Sequence, residues 1–167
     1  MAEAFRHESM PVFQLAVEVA VLAYRGTDAA PRRAWPLTRQ LLASTSSIAL
    51  NIAEGAEEYR PLEKARFYRM ARRSAGEAAG TVKVLLGIGA MRPEDGRTCI
   101  RLLAECSAML TGLAKSHEAR AITQGDVCPT CGRKRTGSRR PQSGISRRNR
   151  SSAPSPQPPP PPDAFSV

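Results

Sequence analysis

The sequence predicts an all-α fold: an antiparallel up-down-up-down four-helix bundle followed by a disordered, basic C-terminal tail. Three observations carry this. Aromatic residues make up only 5% of the chain, while Ala, Leu, Arg and Glu abound, a balance that favours helices over strands. Apolar residues recur at spacings of three and four in four successive segments, as a bundle of helices with one inward face each requires. Beyond Gly125 that periodicity stops, and Arg, Ser, Pro and Gly take over. The expected division is a bundle over residues 5–122 and a tail over 125–167.

The first helix is expected from about Ser9 to Arg25. Ser9 is the candidate N-cap, and Pro11 suits the first turn, where its missing N–H is harmless. Phe13, Ala16, Val17, Ala20, Val21 and Tyr24 follow helical spacing, yet Val12, Leu15, Val19 and Leu22 fall on the other side. A helix apolar nearly all round is buried nearly all round, and one small bundle covers a single side of it. The remaining side is expected to pack on another subunit.

The second helix starts near Pro36 and runs to about Glu54, with Leu37, Leu41, Ile48 and Ile52 inward and Gly55 as its stop. Its middle, Ser44-Thr45-Ser46-Ser47, can return hydroxyl hydrogen bonds to the preceding turn and permit close helix approach. Pro61 opens the third helix, expected to reach about Met91 on a face of Phe67, Met70, Ala71, Ser74, Ala78, Val82 and Leu85. Gly76, Ala79 and Gly80 on it are small enough to admit a close neighbour. Arg92-Pro93 breaks that helix. Pro93-Glu94-Asp95 begins the fourth, its acids complementing the helix dipole. Cys99, Leu102, Leu103, Cys106, Met109, Leu110 and Leu113 form its apolar stripe, and it fades near Ala121.

The tail contains Pro158 to Pro162 and buries too little apolar surface to offset the entropy of ordering. Charge is concentrated there. The chain carries a formal net charge of +10. Up to Gln124 there are 17 Lys and Arg against 13 Asp and Glu, a net of +4; from Gly125 onward there are 8 against 2, a net of +6. Such an excess attracts polyanions but does not specify a fold. The clusters Arg133-Lys134-Arg135, Arg139-Arg140 and Arg147-Arg148-Asn149-Arg150 either hold RNA or DNA non-specifically or form an extension without a role. The longest apolar run, Val12 to Tyr24, is interrupted by Gln14 and Glu18 and falls short of the about 20 residues a membrane span needs. Met1 to Met10 mixes Glu3 and Glu8 with Arg6 and His7, unlike a signal peptide. The expectation is a cytoplasmic protein without a membrane partner.

Candidate chemistry is sparse. Asn51 and Glu54, one turn apart beside Gly55, form either a polar site or a structural tie between the second and third helices. Arg66, Arg69 and Arg73 share one face of the third helix, with Arg72, Arg60 and Lys64 nearby. This stripe either contacts phosphates or is a solvated face ion-paired to Glu57, Glu58, Glu63 or Glu77. Cys128-Pro129-Thr130-Cys131 is a lone Cys-x-x-Cys. Zinc needs four ligands, so Cys128 and Cys131 are weak metal candidates, and no βαβ pattern supports a redox role. Cys99 and Cys106 read as core residues. His7 and His117 have no partner pattern, so no catalytic set, cofactor or small-molecule substrate is implied.

The run Ser47-Ile48, then Asn51-Ile52-Ala53-Glu54-Gly55, resembles the central pattern of the four-helix bundle proteins named after the intervening sequences of 23S ribosomal RNA genes. A second match follows in order: Glu63, Arg66-Phe67, then Ala71, Ser74 and Glu77. Phe5-Arg6 and the first apolar helix fit too, so the resemblance covers about Phe5 to Ala119. The accessory protein of diversity-generating retroelements is similar in fold. One departure is Arg60-Pro61 where the family often has Ser, which changes the cap of the third helix. The resemblance implies a non-enzymatic homo-oligomer, a ring-like pentamer with a basic surface. It implies RNA, DNA or a reverse transcriptase-like protein as partner, and Asn51, Glu54, Gly55, Ser74 and Glu77 as structural motif residues.

Overall fold

The computed structural model of the chain describes residues 5–125. Cys128, Cys131 and the expected tail lie outside the described residues. Within them the structure is all-helical: α1 (Pro11–Gly26), α2 (Trp35–Glu57), α3 (Pro61–Gly87) and α4 (Pro93–Thr123), with short 3-10 turns at Arg6–Ser9 and Arg32–Ala34. Each helix packs mainly on two neighbours, in the ring α1–α2–α3–α4–α1. Short links at 27–34, 58–60 and 88–92 make successive helices antiparallel. No described helix is long and apolar enough to cross a membrane.

All four helices carry Pro in their first turn, where a proline costs no hydrogen bond. Ser9 is not the cap of α1. It belongs to the preceding 3-10 turn, its Oγ donates to the Arg6 carbonyl at 3.1 Å, and Met10 takes the cap position. At the foot of α3 the departure at Arg60 is resolved by Glu58. Its carboxylate accepts the N–H groups of Tyr59 (2.7 Å) and Arg60 (2.9 Å). Those bonds, Arg60's first, hold the Glu58 carboxyl below its ordinary range.

α3 stops at Gly87, four residues before the expected end. Gly89 adopts φ +66°, the left-handed conformation that glycine enters freely. Ala90 N–H reaches back to Leu85 O at 2.8 Å and Gly89 N–H to Leu86 O at 3.1 Å, a Schellman closure that satisfies orphan carbonyls. α1 ends differently. Arg92 N–H donates to Gly26 O at 3.0 Å and its guanidinium to Arg25 O at 2.7 Å. Asp95 steadies that guanidinium at 2.9 Å.

The core is built from Val12, Val19, Leu41, Ile48, Ile52, Tyr68, Val82, Leu85, Leu103 and Leu110, all essentially inaccessible. The α4 stripe sits as expected, with Cys99, Leu102, Leu103, Cys106 and Leu110 buried. Burial pushes the Cys99 and Cys106 thiols up to about 11. The α3 register differs from the expected one. Tyr68 is the buried aromatic, backed by Ala65, Ala71, Ala75 and Ala78, while Phe67 is half-buried and Met70 is exposed. α1 turns Val12, Ala16, Val19 and Ala23 inward and leaves Val17, Val21 and Tyr24 in solvent.

Candidate nucleic-acid interface and the seam behind it

The hydroxyl-rich middle of α2 packs on α3, and its polar groups are satisfied within a few ångströms. Ser44 and Thr45 return their hydroxyls to Leu41 O at 3.0 Å, and Ser46 to Leu42 O at 2.8 Å. Such back-bonding silences a hydroxyl without adding bulk. Ser47 is the exception, because its Oγ crosses to Ser74 Oγ on α3 at 3.0 Å. Asn51 Nδ2 donates to Ser47 O at 2.7 Å and to Ser47 Oγ at 3.1 Å. Two turns toward the start of α2, Gln40 donates to the Glu77 carboxylate. Residues 40 and 47 thus meet 77 and 74, an antiparallel register.

At the other end of the seam stands Gly55. The sequence casts it as the helix stop, but α2 continues through it to Glu57. It is buried, and a Cβ there would lie 2.9 Å from Tyr68 Cε1 and 3.1 Å from Phe67 Cβ. Gly55 is glycine because α3 touches the backbone, not because the chain turns. The sequence expects Asn51 and Glu54 to form either a polar site or a tie from α2 to α3. Asn51 joins the network through Ser47, whereas Glu54 is exposed. Gly76 and Gly80 are expected to admit a neighbour, but beyond their own helix nothing lies within 4 Å of where a Cβ would stand. They face open space.

The arginines lie on the outer side of α3, all exposed. Arg66 pairs with Glu63 at 3.2 Å, one turn away. Arg69 pairs with Glu118 of α4, a partner sequence spacing did not suggest. Arg72 Nη1 lies 3.5 Å from Thr111 Oγ1, also on α4. Among the described residues, Arg72 and Arg73 form no ion pair. Arg60 is exposed at the helix foot and adds to the field around Glu58. The stripe is therefore divided, with two guanidiniums answered by carboxylates and two left for solvent or a ligand.

The sequence places Lys64 beside the stripe, but its role was not legible from spacing. Lys64 Nζ donates to Ala56 O at 3.0 Å and so caps the last turn of α2. Burial, then the field of Arg6, lowers its affinity for the proton. His117 of α4 lies with its ring 5.6 Å from Tyr68, and its Nδ1 is buried without a hydrogen-bond partner. Burial first, then Lys64 and Arg120, shift His117 toward its neutral form. No group of three or more His, Cys, Asp or Glu able to hold a metal occurs among the described residues.

A family model described as 23S rRNA-intervening sequence protein matches residues 8–112, more than half of the chain and nearly all of the bundle. No curated protein is significantly similar to the chain.

Proposed function

The chain belongs to the 23S rRNA-intervening sequence protein family, and on that premise we propose that it is a non-catalytic, oligomeric accessory protein that binds nucleic acid or a nucleoprotein through a basic surface. The observation that carries this reading is the outer face of α3, where Arg66, Arg69, Arg72 and Arg73 stand together in solvent and two of them lack a carboxylate among the described residues. A guanidinium forks onto two phosphate oxygens, and phosphate neutralisation dominates non-specific affinity. The non-catalytic part is supported by the chemistry of the seam. Its hydroxyls face one another and an amide, neither of which takes a proton from a hydroxyl near neutral pH. The setting is cytoplasmic, and a reverse transcriptase-like protein is the partner class that the resemblance adds.

A gel shift with generic RNA and DNA at low and moderate salt tests the reading. Binding is expected at low salt, and replacing Arg72 and Arg73 together by Ala is expected to weaken it roughly tenfold and to flatten its salt dependence. No binding at low salt would sink the reading.

A second reading is a pure assembly module whose partner is protein. What favours it is the apolar face of Val17, Val21, Tyr24 and Leu50, which α1 and α2 turn outward as one shallow groove. Contiguous exposed apolar patches mark interaction sites. Its signature is a defined oligomer, a homopentamer by the resemblance, that ignores nucleic acid.

A further inference from the structure

We propose that Trp35, with Arg32, Arg33 and Arg39 around it, is a stacking platform for single-stranded nucleic acid. This rests on the nucleic-acid reading above and assigns it a second contact surface, at the end of the bundle where α2 begins.

Trp35 is the only tryptophan of the chain, and it is 61% exposed. An indole is worth most to a small protein when buried, yet the bundle end is closed by Ala34 and Thr38, both buried, on either side of it in sequence. The core does not use the ring. The backbone beneath it is nevertheless well held. Ala34 N–H donates to Pro31 O at 2.8 Å, Trp35 N–H closes the 3-10 turn on Arg32 O, and Pro36 follows in the first turn of α2. The indole is presented from ordered backbone, so little entropy is lost when a ligand stacks on it.

The cations around it are placed by the same geometry. Arg32 and Arg33 occupy the 3-10 turn that leads into Trp35, and Arg39 lies one helical turn beyond it, on the same face of α2. All three are exposed, and none makes an ion pair among the described residues. Across 27–39 the one carboxylate is Asp28. An exposed indole flanked in sequence by unanswered guanidiniums matches what a splayed strand offers, a base to stack and phosphates at its flanks. A duplex keeps its bases stacked on each other and offers only the phosphates. An apolar protein surface would desolvate three guanidiniums without carboxylates in reach, which disfavours it.

The test uses the full chain and an end-labelled oligothymidylate of about 15 nucleotides, beside a duplex of equal length, at about 50 mM salt. Label anisotropy reports binding anywhere on the protein. Indole emission, excited on its red edge, reports Trp35 alone. The expected result is that the single strand raises anisotropy and quenches the indole together, and that the duplex quenches it far less. Trp35→Ala is expected to weaken binding about tenfold, with Trp35→Phe within about threefold of the parent. Circular dichroism verifies that both variants stay helical. If the oligonucleotide binds while indole emission and the Trp35→Ala affinity stay unchanged, the platform is overturned and the α3 reading stands. Emission that shifts with protein concentration but not with oligonucleotide assigns the indole to self-association and also overturns it. If anisotropy does not move at all at low salt, the nucleic-acid reading itself falls.

Discussion

At Gly55 two helices come within reach of each other's backbone, so the side chain allowed there is decided by α3 rather than by α2. An alanine methyl would meet the Tyr68 ring at 2.9 Å, and that ring is itself locked in the core. Overpacking of this kind costs about 1–3 kcal/mol, against a gain of about 1 kcal/mol from replacing glycine within a helix. Gly55→Ala is expected to lower Tm by several degrees. Gly80→Ala, in the same fold but facing open space, is expected to raise stability by up to about 1 kcal/mol. Thermal melts of the two variants check the opposite signs. This contrast shows where sequence reading stops. A glycine near a helix end looks like a cap, and a glycine mid-helix looks like a packing site; here each does the other's work or none. The distinction depends on what lies across the gap, which no local pattern encodes. The four-helix plan itself was legible, because apolar residues such as the α4 stripe of Cys99, Leu102, Leu103, Cys106 and Leu110 recur at three and four residues and are buried.

The α2–α3 seam is an element-scale device. Ser47 accepts from Asn51 and meets Ser74 across the interface, so it serves two partners where Ser74 serves one. Ser47→Ala is expected to cost about 1–3 kcal/mol and Ser74→Ala about 0.5–1.5 kcal/mol. In a double-mutant cycle by chemical denaturation the two are expected to be non-additive. The motif residues that revealed this seam in the sequence were thus informative about position, but Glu54 was carried along by adjacency rather than by contact. The α3 register was harder to read. Its inward face is mostly alanine, so the choice between Phe67 and Tyr68 rests on little apolar contrast. Across the α3–α4 contact, burial first, then Lys64 and Arg120, shift His117 toward its neutral form. Its folded-state affinity for a proton is thus below the ordinary 6.5. The unfolded chain binds the proton first as pH falls, so stability is full above about 6.5 and declines below it. His117→Gln is expected to remove that part of the decline, measured as the difference in Tm between pH 7 and pH 5. If the variant and the parent lose stability in parallel over this range, His117 is not the group responsible.

On the scale of the whole molecule, α1 presents two faces and the bundle covers one. Tyr24 and Leu50 are 66% and 63% exposed, with Val17 and Val21 beside them. Val21→Glu with Leu50→Glu is expected to reduce the mass measured by light scattering to that of one chain, while leaving helical content intact. A parent that is already monomeric would contradict the assembly reading. The all-round apolar first helix made this face legible in sequence. The arginine partners were not, since Glu118 is distant from Arg69 in the chain and joins it only once α3 and α4 are paired. The closure of α1 by Arg92 has a consequence for how the chain matures. The carbonyls of Gly26 and Arg25 find their donors only at residue 92. During synthesis the first helix leaves the ribosome long before its final turn can be completed. Thr27 can close on Ala23 O at once, but the last two carbonyls stay with water until the link between α3 and α4 has emerged, so the end of the first helix is fastened by the last connection the chain makes.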